Sequence, residues 1–135
     1  HLRRRVETDA EGRYAVRSIV PCGYGCPPDG PTQKLLNQLG RHGNRPAHVH
    51  FFVSAPGYKH LTTQINLNGD AYLWDDFAFA TREELIADPL KITDGQLAQA
   101  RDIPVPHTEV SFDFVLVAAT QRDEEQRGKR ARVME

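Results

Sequence analysis

The chain has 135 residues, a formal net charge of -1, 39% hydrophobic and 26% charged residues, which bounds it to a single domain of ordinary globular composition. That balance excludes a global electrostatic pull toward nucleic acid or membrane, and the short basic clusters Arg3–Arg5 and 127–132 read as solvated surface. No apolar run reaches membrane-span length and no signal peptide is visible; together with only two cysteines, Cys22 and Cys26, this predicts a cytoplasmic protein with free thiols.

The predicted elements are mostly strands. The chain begins abruptly at His1, which predicts a portion cut from the C-terminal part of something longer. Asp9–Gly12 reads as a turn, and residues 13–20 alternate, with Tyr14, Val16, Ser18 and Val20 on one face of a strand. Residues 21–31, PCGYGCPPDGP, hold four prolines and three glycines and predict a long loop. Residues 32–39 predict a short helix capped by Thr32, with Leu35, Leu36 and Leu39 on one side and Gly40 ending it. Strands follow at 47–54 and 61–67, joined by the turn 55–59, and Asn68-Gly69-Asp70 closes the second. Short helices are expected at 82–88 and 94–101, a last strand at 110–119, and a charged, fraying tail from about residue 120. Several turn-punctuated strands with only short helices predict a mainly β fold, a β-sandwich with long ordered loops. The domain is expected to cover 1–119, with 120–135 as tail.

The chemistry centres on RPAHVHFFVSAPG, residues 45–57. On a strand, residues i and i+2 share a face, so His48 and His50 point the same way. The apolar flanks Ala47, Val49, Phe51 and Phe52 predict a buried setting in which two imidazoles need partners, and a metal would serve both. A single His pair on a strand is also common as structure. Asp29 and Asp70 bracket a stretch with no acid, which disfavours a two-His-one-carboxylate iron site. Tyr24, alone between two glycines, is an odd core residue and a candidate phenolate ligand for an ion as acidic as Fe(III), since a free phenol ionises only near ~10. It could equally pin the loop through its hydroxyl.

At these residues the chain resembles the intradiol ring-cleavage dioxygenases, nearest in pattern to those acting on catechol. The resemblance is carried by the R-P-A-H-x-H run, by Tyr24 lying 24 residues before His48, and by the T-Q-I-N strand, and it runs from residue 2 to about 88 and more loosely through the last strand. It implies a mononuclear non-haem Fe(III) held by two tyrosinates, two histidines and a solvent hydroxide. Tyr24 matches the tyrosinate that leaves the iron and takes up a substrate proton, and His48 and His50 match the histidine ligands. Arg45 matches the arginine beside the substrate ring, Gln64 a polar residue near the reacting oxygens, and Phe77 and Ala78 positions lining the pocket. The implied reaction is cleavage of catechol by O2 to cis,cis-muconate, in aromatic compound degradation, by a protein that is a homodimer at full length. The family's first tyrosinate and its N-terminal helical region would lie upstream of residue 1, and neither Tyr14 nor Tyr58 replaces that ligand. Chlorocatechol- or methylcatechol-preferring enzymes are open alternatives. So are a non-catalytic β-sandwich module, in which Tyr24, His48 and His50 are structural, and a zinc site using a cysteine.

Overall fold

The structure, a computed structural model, describes residues 2–95 and 103–127. Its centre is a hairpin of β3 (His48–Val53) and β4 (Leu61–Leu67), with β5 (Ile86–Ala87) added in parallel along β4. The register pairs His48 with Asn66, His50 with Gln64 and Val53 with Leu61. Directly paired residues share a face, so the two histidines lie on the same side of the hairpin as Gln64 and Asn66. Gly57 (φ 76°) and Gly69 (φ 91°) supply the left-handed backbone at the turns closing the two strands.

Two short ladders flank this sheet. In one, β1 (Tyr24–Gly25) pairs antiparallel with β2 (Asn44–Arg45); in the other, β6 (Leu90–Ile92) pairs with β7 (His107–Glu109). Between β1 and β2 runs α1 (Pro31–Gln38). Pro31 takes its first position, where a missing N–H costs nothing, so the helix starts a residue before the expected Thr32 cap. Gly40, at φ 65°, ends it as expected: the Gly40 amide donates to the Asn37 carbonyl and the Arg41 amide to that of Leu36, a Schellman closure. Of the three leucines expected to share a buried side, only Leu36 is buried; Leu35 and Leu39 are exposed.

The mainly β class predicted from the sequence is the class observed, with differences in particular elements. Neither 13–20 nor 110–119 forms a named strand. Alternation supplies a side-chain pattern but no hydrogen-bonding neighbour. These segments meet the hairpin through rings instead: Phe51 lies 4.8 Å from Phe114 and 6.4 Å from Tyr14, and the Tyr14 hydroxyl donates to the Phe112 carbonyl at 2.7 Å. One backbone bridge, Tyr58 with Ala118, ties the last segment to the hairpin turn. The expected helix at 82–88 is a single 3-10 turn, Glu83–Leu85, because Ile86 and Ala87 pair with Asn66 and Leu67. The segment 94–101 falls largely outside the described residues. Within the expected tail Gln121–Arg127 forms α2, with Thr120 and Asp123 bonding each other across its start, and residues 128–135 lie outside the described residues.

The core gathers where β4 meets β5 and the loop before β3: Pro46, Ala47, Ile65, Leu67, Leu73 and Ala87 are all buried. In their midst Asn66 is 0% exposed. Its carbonyl oxygen accepts from Gln64 Nε2 at 2.8 Å, and its amide donates to Thr81 Oγ1 at 2.9 Å. Asn66→Leu keeps the branched shape with slightly larger ends and strips both groups of their partner. We expect it to lower unfolding free energy by roughly 2–4 kcal/mol, read as a lower urea midpoint at unchanged slope; an unshifted midpoint would show the bonds to be dispensable.

Candidate metal centre

Breaker residues place Tyr24. A Cβ on Gly23 would lie 2.9 Å from both the Arg45 carbonyl oxygen and Asp70 Oδ2, and one on Gly25 would lie 2.8 Å from Asn44 Oδ1. At Gly23 the neighbour is backbone and only glycine lets the loop come this close to β2; at Gly25 a side chain would have to displace the Asn44 amide. The two-residue ladder then sets Tyr24 directly opposite Arg45. Its ring lies 5.5 Å from that of His48, and the His48 and His50 rings lie 4.9 Å apart at 89°.

His48 is held in one tautomer. A carbonyl can only accept, so Nδ1 donates to the Pro46 oxygen at 2.7 Å; a guanidinium can only donate, so Nε2 accepts from Arg45 Nη1 at 3.2 Å. The lone pair a metal would use is thus on Nε2, where the metal would replace the Arg45 Nη1 donor, and the carbonyl behind the ring fixes its direction. Burial, then the charges of Arg45 and His50, lowers the His48 pKa below the usual histidine value, against the Pro46 carbonyl and Asp76. The lowered value and the accepting Nε2 both favour the neutral ring, the form that ligates.

Arg45 is the hub. Its side chain is 11% exposed and forms a two-pronged pair with Asp76, Nε to Oδ1 at 3.0 Å and Nη2 to Oδ2 at 3.1 Å. Nη2 also donates to Gln64 Oε1 at 3.0 Å. Because Gln64 spends its amide N–H on Asn66, its carbonyl faces Arg45. The Tyr24 phenol lies within interaction range of the same guanidinium. Burial alone would raise the Asp76 pKa; the Arg45 guanidinium and the amides of Ala78 and Ala80 outweigh it and hold the carboxyl below its usual range.

The structure therefore brings Tyr24, Arg45, His48, His50 and Gln64 together. Phe77 and Ala78 join through the Asp76 loop: the Phe77 amide donates to the Asn44 carbonyl at 3.2 Å and the Ala78 amide to Asp76 Oδ1 at 3.1 Å. One expectation changes. His48 is half-buried but His50 is exposed, as are Val49 and Phe52, so the pair opens toward solvent instead of the core. The strand is anchored at its Pro46-Ala47 end and runs outward from there, among the described residues. Tyr14 is 36% exposed and donates its hydroxyl to the Phe112 carbonyl. The residues that sequence reasoning missed are Asp76, Asn66 and Thr81. For Asn66 the T-Q-I-N alternation, which puts it on the Gln64 face, was a usable signal.

Among the described residues, no three His, Cys, Asp or Glu side chains assemble a metal-holding group, and Cys22 and Cys26 are free thiols. A cysteine–histidine zinc site is therefore not formed there. Two imidazole nitrogens with a phenol oxygen form a mixed set whose one potential anion is a hard oxygen, which suits a strongly acidic trivalent iron better than a soft cation. By donor chemistry the residues fit that ion.

The dioxygenase family model (Dioxygenase_C) matches residues 1–118. The catechol 1,2-dioxygenase of Acinetobacter baylyi is 59% identical over 116 residues, covering 86% of this chain and 37% of that protein. Among solved structures, the mercury-inhibited catechol 1,2-dioxygenase of Acinetobacter sp. ADP1 superposes with TM-score 0.82 at 58% identity, covering 84% of this chain and 37% of that one. The catechol 1,2-dioxygenase of Pseudomonas arvilla C-1 gives TM-score 0.80 at 59% identity, over 95% of this chain and 42% of that one. The chain belongs to the intradiol ring-cleavage dioxygenases. Within that family it is similar to catechol 1,2-dioxygenases, and it spans little more than a third of their length.

Proposed function

We propose that the protein carrying this chain cleaves catechol between its hydroxyl-bearing carbons with O2, giving cis,cis-muconate, and that it uses a mononuclear non-haem Fe(III) held in part by Tyr24, His48 and His50. The observation that carries this is the convergence on one side of the hairpin of a phenol, two imidazoles and a clamped arginine. Fe(III), when bound, supplies a hard acid that a catechol dianion chelates and that makes the ring reactive toward O2. The remaining work falls to side chains. The Tyr24 oxygen accepts a proton from a catechol hydroxyl as substrate arrives. Arg45 places fixed positive charge beside the ring, where negative charge develops, at no reorganisation cost. Gln64 holds the guanidinium through Nη2, the nitrogen that Asp76 also engages. Phe77 and Ala78 form part of the wall that keeps the ring in place and water out. Catechol is favoured over its chlorinated and methylated relatives by the relatives at 58–59% identity, all catechol enzymes by name. We further place the protein in the cytoplasm, as a homodimer; the two free thiols support the first, and the second rests on the family resemblance.

The test is iron content and the visible spectrum of the purified full-length protein, before and after anaerobic catechol. Near-stoichiometric iron with a tyrosinate charge-transfer band that shifts on catechol addition is expected. A protein with iron but no such band, or a band indifferent to catechol, would overturn the reading.

A further inference from the structure

Asp76 touches neither histidine nor Tyr24 among the described bonds, yet its side chain is 1% exposed and all four of its favourable acceptor directions are taken. Oδ1 accepts from Arg45 Nε at 3.0 Å and from the Ala78 amide at 3.1 Å. Oδ2 accepts from Arg45 Nη2 at 3.1 Å and from the Ala80 amide at 3.2 Å. The Asp76 carbonyl holds the Phe79 amide at 2.9 Å, and Phe79 sits at φ 52°, a left-handed conformation that a bulky residue adopts only where its surroundings impose it. One carboxylate thus joins two parts that arrive from different regions of the chain, the guanidinium from β2 and the loop carrying Phe77 and Ala78.

We infer that Asp76 is a positioning residue for ring cleavage: it sets the plane of the Arg45 guanidinium and, through the same two oxygens, the register of the Phe77–Ala78 wall against it. The inference rests on the ring-cleavage reading above. A fork held at Nε and Nη2 leaves Nη1 as the one guanidinium nitrogen without an acidic partner, and it lies 3.2 Å from His48 Nε2. Rotation of the fork would carry that donor away from the place where charge develops. A misplacement near 1 Å costs about 10²-fold in rate, and a partial loosening costs less.

The experiment is a double-mutant cycle in the full-length, iron-loaded protein with Asp76→Asn, Arg45→Ala and the pair. Asparagine keeps one of the two oxygens, with one amide and one guanidinium nitrogen on it, and turns its NH2 toward the other amide and the other nitrogen. Asp76→Asn is expected to keep the wild-type iron content and tyrosinate band and to keep KM for catechol within about threefold, while kcat falls by roughly 10- to 30-fold. In the double variant kcat should stay within about threefold of Arg45→Ala alone, because a residue that acts through Arg45 has nothing left to act on. The cycle is repeated with Asp76→Ser, so that poor folding of one variant leaves the other to decide. An unchanged kcat in the single variant, a multiplicative loss in the double, or activity that falls only in step with iron would each overturn the positioning role. A wild-type protein without iron or without activity on catechol would instead overturn the reading beneath it.

Discussion

His48→Ala is expected to remove iron and activity together, with kcat/KM on catechol down by about 10³-fold or more. The magnitude separates a ligand from a structural histidine. As structure, His48 contributes two hydrogen bonds, to the Pro46 carbonyl and from Arg45 Nη1, and partial burial of its ring; losing these costs roughly 2–4 kcal/mol and would leave any iron in place. As a ligand it contributes the aimed Nε2 lone pair, and even disturbing the outer partners of a metal-ligating imidazole costs 10- to 100-fold in affinity. Iron per chain, measured beside the denaturation midpoint, decides between the two. His107→Ala is the control: its ring bonds Glu109 and the Pro104 carbonyl in the β6–β7 ladder, and its loss should leave iron untouched. If His48→Ala keeps full iron and loses only stability, the non-catalytic module becomes the better account.

The parts of the site legible in the sequence are those fixed by short-range pattern. An apolar run after the His pair, the turn residues 55–59 and the β-branched run LTTQINL together mark a hairpin, and β4 falls on the predicted 61–67. The His48–His50 pair and Gln64 follow from that register because a strand's side chains have period two. Tyr24 stood out by chemical oddness, and the close approach of Gly23 and Gly25 to β2 now explains the two glycines beside it. What could not be read was long-range. Asp76 lies 31 residues from Arg45 and looks, in WDDFAFATR, like one of two interchangeable surface acids. The fold buries Asp76 and leaves its neighbour Asp75 exposed, with its carboxylate 3.0 Å from His42 Nε2. Nothing local distinguishes them. The segments 13–20 and 110–119 failed in the opposite direction: their alternation is real, but a strand also needs a neighbour to bond, and composition cannot supply one.

Arg45→Lys is expected to lower kcat by about 10²-fold and unfolding free energy by roughly 1–3 kcal/mol. The charge is conserved, so a purely electrostatic role would predict a mild effect. The geometry predicts otherwise. Arg45 serves Asp76 through two nitrogens, Gln64 through one of these, and the His48 side through a third. A lysine ammonium is a single point with three donors on a flexible stem and cannot reach all of these positions at once. Asp76, at 1% exposure, would then keep the amides of Ala78 and Ala80 but lose its paired fork. The sign of the pH effect follows. Burial raises the Asp76 pKa, and Arg45 with the two amides more than reverses this, so the folded-state value is depressed. Such a group stabilises the fold at pH above the ordinary carboxylate value, about 3.9, and that contribution is lost as pH falls through the depressed value. Weakening the fork raises the folded value toward the unfolded one, so Arg45→Lys should lose stability near neutral pH and unfold at a higher pH on acid titration. Steady-state kinetics with catechol and an acid-unfolding curve check both halves; wild-type kcat with an unmoved acid midpoint would mean that charge alone is what Arg45 provides.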